Sequence, residues 1–130
     1  MRLLIAEDEV DLAEALTAFF EKNQFSVAAV HNGQDAYDYA LSGGYDAIIL
    51  NVMMPKMNGL SALMKIREKN NIPIIMLSAK TEESDKVIGL SMGADDYVTK
   101  PYNTAELMAR VKSQLRRYFS LGCLLYTSPS

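Results

Sequence analysis

Five short apolar runs, Leu3 to Ala6, Val27 to Val30, Ala47 to Leu50, Ile74 to Leu77 and Tyr97-Val98, are each followed by a longer amphipathic stretch. That alternation predicts repeated βα units. The third and fourth runs are near-continuous hydrophobes, as expected of central parallel strands with helices on both faces. Crossovers between parallel strands are right-handed, so five such units give an α/β fold. The expectation is a doubly wound, flavodoxin-like, five-stranded parallel sheet in the order 2-1-3-4-5, with five helices.

The helices announce themselves by spacing. Leu12, Leu16, Phe19 and Phe20 fall on one side of the first, with Asp11, Glu14, Glu21 and Lys22 on the other. Leu60, Leu63, Met64 and Ile66 mark the helix after the third run. Leu107, Met108, Val111 and Leu115 mark the last one, with Asn103 or Thr104 as its cap. The helix around Val87, Ile88 and Leu90 contains Gly89 and is expected to be the weakest of the five. Beyond Arg117 the text has no charge and no helical stripe. Residues 118–130 read as a frayed or non-native tail, or a truncated linker, after a single domain at 1–117.

With 130 residues and 49% hydrophobic content, one domain can bury a core unaided. A net charge of -3 provides no basic field, so DNA contact is expected only through a further, C-terminal effector domain. The single cysteine, Cys123, cannot form an internal disulfide, which fits a reducing cytoplasm. Acidic residues interrupt the first apolar run at once, so neither a signal peptide nor a membrane span is expected there.

In open sheets of this kind, ligands sit outside the carboxyl ends of the strands, where the order reverses. The first run ends in Glu7-Asp8-Glu9, the third in Asn51, the fourth in Ser78-Ala79 and the fifth in Thr99-Lys100-Pro101. Adjacent acids can supply oxygen ligands to a cation such as Mg2+, or simply open a helix whose dipole suits them. Lys100 can bind phosphate or be an ordinary surface lysine. Pro101 fixes its direction, and a bond before proline is the one that takes cis at low cost. Ser78 can donate to an oxyanion or serve as a cap.

Taken together, Leu-Ile-Ala-Glu7-Asp8-Glu9, Ile-Ile-Leu-Asn51-Val-Met-Met-Pro55-Lys-Met-Asn-Gly59, Ile-Ile-Met-Leu-Ser78-Ala79 and Gly93-Ala-Asp95-Asp96-Tyr97-Val-Thr-Lys100-Pro101 resemble the receiver domains of two-component response regulators. The resemblance runs from about Arg2 to Arg117. It implies a phosphorelay module, not an enzyme, served by a histidine kinase. Asp8 would be a direct Mg2+ ligand, Glu7 would act through water, and the Met53 carbonyl and position 51 would complete the metal site. Ser78 and Lys100 would hold phosphoryl oxygens. Tyr97 would be the aromatic switch that turns inward as Ser78 moves, with the small Ala79 leaving it room. The stretch from Gly93 onward looks like the branch that carries a winged-helix DNA-binding domain and controls transcription. A homodimer would then use the Val87 helix, the fifth strand and the Leu107 helix, where Arg110, Lys112, Arg116 and Arg117 could meet Asp95, Asp96, Glu83 or Asp85 of a partner chain, or simply form a solvated basic helix face.

The departure is at position 51, where the family carries the phosphate-accepting aspartate. An amide has its nitrogen lone pair delocalised and offers no comparable route to an acyl phosphate. Phosphorelay is expected to fail, Mg2+ to bind more weakly, and the acids to repel one another less. Asn51 could still accept a hydrogen bond from Lys100 through its side-chain oxygen. The same topology could instead serve a flavodoxin-like carrier or a haloacid-dehalogenase-like phosphatase. The first wants a phosphate-cradling loop where Glu7-Asp8-Glu9 stand, and the second an aspartate pair where Asn51 and Met53 stand. A phosphorylation-independent module that only binds a partner fits Asn51 as well.

Overall fold

The computed structural model describes residues 1–79 and 93–127. Its elements are β1 (Arg2–Ala6), α1 (Val10–Lys22), β2 (Ser26–Val30), α2 (Gly33–Ser42), β3 (Ala47–Asn51), α3 (Gly59–Arg67), β4 (Ile74–Ala79), β5 (Asp96–Lys100) and α4 (Thr104–Thr127). The five strands are all parallel, in the expected order β2-β1-β3-β4-β5. The helix expected around Val87, Ile88 and Leu90 lies outside the described residues.

Side-chain alternation along the strands divides the core between the two faces of the sheet. Leu4, Ala6, Ile48, Leu50, Ile74 and Met76 join Ala36 and Ala40 of α2 and Ala62, Leu63 and Ile66 of α3. Leu3, Ile5, Ile49, Ile75 and Leu77 join Leu16 and Phe20 of α1 and Leu107, Val111 and Leu115 of α4. Every residue of β3 is buried, which accounts for its unbroken apolar text.

Asparagines start three of the helices, each by accepting a backbone N–H. Asn32 takes that of Asp35, Asn58 that of Ser61, and Asn103 that of Ala105 at 2.7 Å. Asn103, rather than Thr104, is therefore the cap of α4. The helix marked by Leu60, Leu63, Met64 and Ile66 is present as α3; Met64 itself is 49% exposed, because α3 turns Gly59, Ala62, Leu63 and Ile66 to the sheet and leaves the methionine on its outer side. The last helix does not stop near Arg117 but continues to Thr127. Adding a residue to an existing helix gains a hydrogen bond without a new nucleus, so continuation needs no apolar stripe. Among the described residues, no helix is long and apolar enough to cross a membrane.

Candidate functional site at the carboxyl ends of the strands

β1 lies between β2 and β3, so the chain's direction of winding reverses at the β1/β3 boundary, and the polar residues gather there. Ala6 is level with Leu50, which puts Glu7, one residue on, beside Asn51. The Glu7 backbone is held by the last residue of β2 on one side and by the His31 ring just after β2 on the other. Its N–H donates to the Val30 carbonyl at 3.0 Å, and its carbonyl lies 2.9 Å from Nδ1 of His31.

The loop after β3 folds back tightly. The Val52 N–H donates to Leu77 O at 2.9 Å and the Gly59 N–H to Val52 O at 2.7 Å. A Cβ on Gly59 would run into the Asn51 carbonyl and the Val52 backbone, so only glycine lets α3 begin so close to the strand. Lys56 turns the loop in the left-handed region, at φ 69°. The outcome is a Met53 side chain that is 61% exposed while its carbonyl faces inward.

The centre of the site is the amide of Asn51. Its Nδ2 donates to Asp8 Oδ1 at 3.0 Å, to Met53 O at 3.1 Å and to Glu7 Oε2 at 3.2 Å. All three neighbours are acceptors, so the nitrogen must face them; an amide oxygen there would meet only lone pairs. Lys100, at the end of β5, directs its Nζ to Glu7 Oε1 at 3.2 Å. This corrects the expected bond from Lys100 to the Asn51 oxygen: the nearby carboxylate is a stronger acceptor than a neutral amide. The Lys100-Pro101 peptide is cis.

Glu7 is fully buried and Asp8 exposed. Burial pushes the Glu7 carboxyl above its ordinary range, and the contact with Asp8 adds to this. The Glu9 N–H, at 3.1 Å from Oε2, and the Lys100 ammonium pull in the other direction. Ser78 is 1% exposed and lies one residue beyond Leu77, the register partner of Asn51. Tyr97, 6% exposed and level with Met76, is in the core further back along β5. Glu7, Asp8, Asn51, Met53 and Lys100 are thus joined by direct bonds, with Ser78 adjacent in register and Tyr97 behind them.

One participant was missed from sequence. Tyr102 has its hydroxyl pushed up to about 12, first by burial and then by the charges of Glu7 and Glu9. Among the described residues that hydroxyl has no hydrogen-bond partner. Its only signal in the text is its place directly after Lys100-Pro101.

Three oxygens converging on one point make a site suited to a hard cation. Among the described residues, no three His, Cys, Asp or Glu side chains come together to hold a metal, since the third position is the amide.

A family model described as the response regulator receiver domain matches residues 3–112. An uncharacterised transcriptional regulatory protein of Bacillus subtilis, YclJ, is 46% identical over 94% of this chain and 54% of its own length. The chain spans about half the length of the curated relatives it matches. The receiver domain of a Francisella response regulator superposes with a TM-score of 0.84 at 35% identity, over 90% of this chain and 98% of that one. The receiver domain of a Pseudomonas aeruginosa sensor histidine kinase superposes with a TM-score of 0.80 at 29% identity, over 88% and 96% of the two chains. That domain has a magnesium ion coordinated in its active-site cleft.

Proposed function

The chain belongs to the response regulator receiver domain family, and we propose that it is a receiver whose conformational switch works without phosphorylation of residue 51. The observation that carries this reading is the Asn51 amide, which donates to Glu7, Asp8 and the Met53 carbonyl at 3.0 to 3.2 Å. An amide nitrogen provides no nucleophile for phosphoryl transfer, and its protons occupy the oxygens a cation would use.

Mg2+ would be held by Asp8 directly, by Glu7 through water, by the Met53 carbonyl and by the Asn51 amide oxygen once the amide turns over. When bound, it would offset charge on phosphoryl oxygens. Having to give up the contacts that the amide's two N–H protons share among three oxygens makes this binding weaker than at an aspartate. Ser78 and Lys100 are the groups for the phosphoryl oxygens. Lys100 is already engaged by Glu7, so it must exchange one anion for another. Tyr97 is buried, the inward arrangement expected of the switch, so partner binding and intrinsic population, not an acyl phosphate, would set its balance.

The names of two relatives, transcriptional regulatory proteins, favour control of transcription; a C-terminal DNA-binding half and a histidine kinase upstream are further parts of the same proposal. Dimerisation through the β5 and α4 face belongs to the same reading. Here Arg110 already holds Asp96 of its own chain at 2.9 Å, so that pair would have to open to serve a partner.

The test is intact mass after incubation with Mg2+ and acetyl phosphate, on the parent and on Asn51→Asp. The variant alone is expected to gain one phosphoryl group. A parent that gains it at Asn51 overturns the reading; a folded variant that gains none overturns the assignment of Asp8, Ser78 and Lys100.

A further inference from the structure

At the opposite end of the sheet from Asn51, a cavity of about 580 Å3 opens between the turn after α1 and the outer half of α4. That volume is within the range of small-molecule sites. Its floor is Phe25 and Leu115, 8% and 5% exposed, and Phe119 forms a wall at 41% exposure. Lys112 and Arg116, one helical turn apart on α4, line the same cavity.

Two features give this cavity a chemical preference. Arg67, Lys100 and Arg110 each hold a carboxylate, whereas Lys112 and Arg116 have no ion-pair partner among the described residues. The negative end of α1, which would otherwise favour cations, is tied up by the turn itself. The N–H groups of Asn23 and Phe25 donate to Phe20 O and that of Gln24 to Glu21 O, with Gln24 in the left-handed region at φ 77°. The cavity therefore combines an apolar floor with two unneutralised cations and a capped helix end.

We propose that it is a binding site for a small amphipathic anion, an aliphatic or aromatic carboxylate or sulfonate, whose apolar body covers Phe25 and Leu115 while its head group meets Lys112 and Arg116. α4 also packs Leu107 and Val111 on the sheet beside β5. A ligand bridging the α1 turn and α4 would hold that helix against the sheet independently of the chemistry at Asn51.

The test uses 8-anilinonaphthalene-1-sulfonate as a fluorescent probe, with decanoate and the uncharged decanol as competitors. The parent is expected to bind one probe saturably and to release it to decanoate more readily than to decanol. Lys112→Glu with Arg116→Glu should weaken binding at least about tenfold, because both head-group pairs become repulsive. Lys112→Gln with Arg116→Gln should fall in between. Unchanged thermal unfolding of these surface variants separates loss of the site from loss of the fold. Non-saturable binding, affinity indifferent to charge reversal, equal displacement by decanol, or a cavity closed by a second copy in sedimentation would each overturn the proposal.

Discussion

At the start of β5, Asp95 and Asp96 each meet an arginine, Arg67 at 2.6 Å and Arg110 at 2.9 Å. At its far end, Lys100 alone faces the buried Glu7, while Asp8 and Glu9 have no ion-pair partner among the described residues. The same strand thus begins in a charge-matched joint and ends in an acid-rich pocket. A joint that neutralises its charges is built to stay shut. A pocket that leaves acids under-neutralised, with only an amide and one lysine among them, keeps a negative charge that its own side chains do not offset.

Arg67 should break the comparison most visibly. Its Nε donates to Gly93 O at 2.7 Å, one Nη to Ile72 O at 2.7 Å and to Asn70 O at 3.2 Å, and the other to Asp95. Asp95 in turn accepts the Ile74 N–H at 2.8 Å. The side chain is 15% exposed, and burial pulls its pKa down against the pull of Asp95. Arg67→Ala leaves several carbonyls and a carboxylate without their donor, so a loss of about 2 to 4 kcal/mol is expected in chemical unfolding. A loss below about 1 kcal/mol would place this joint with ordinary surface pairs.

How much of this was legible in the sequence differs along the same lines. The strands were legible as runs that are apolar because helices cover both faces, whereas their order is that of the doubly wound pattern and is not written in the runs themselves; Glu7, Asn51, Ser78 and Lys100 stand out in the text because each lies at or beside the carboxyl end of a strand. The role of Arg67 was not legible: its acceptors are mainly backbone carbonyls, which every residue has, so no pattern of side chains points to it. Met64 marks α3 by its spacing but not its buried face, which Gly59 and Ala62 share with Leu63 and Ile66 because α3 begins so close to the strand end. The turning of the Asn51 nitrogen towards Met53 depends on a loop that folds back through Gly59, a three-dimensional fact that the motif's letters mark without explaining.

The acid pocket can be sharpened by pH. The folded-state pKa of Glu7 is raised above its ordinary 4.5, chiefly by burial, so between these values the folded protein binds more protons than the unfolded one. Unfolding free energy then falls as pH rises through that window, and Glu7's contribution is most favourable below about 4.5. Glu7→Gln cannot titrate. Measured in chelator, the stability of the parent relative to this variant should decline from pH 4.5 towards neutrality. A flat or rising difference would mean that Lys100 and the Glu9 N–H outweigh burial, and the pocket would then be as well matched as the joint.

The smallest effect is expected at Arg110. It takes both oxygens of Asp96 at 2.9 Å and Glu106 at 3.1 Å, and these contacts raise its pKa. Its side chain is nonetheless 40% exposed, and Glu106 lies at i−4 on the same helix face. Exposed pairs of this kind are screened by water and salt, so Arg110→Ala should cost less than about 1 kcal/mol, and less still in high salt. The variant's association state decides what the pair is for. If stability and oligomerisation are both unchanged, Arg110 only trims the edge of the fold. If self-association changes while stability holds, the bond to Asp96 is the closed form of a contact that a second chain opens, and the charge-matched end of β5 is less settled than its geometry suggests.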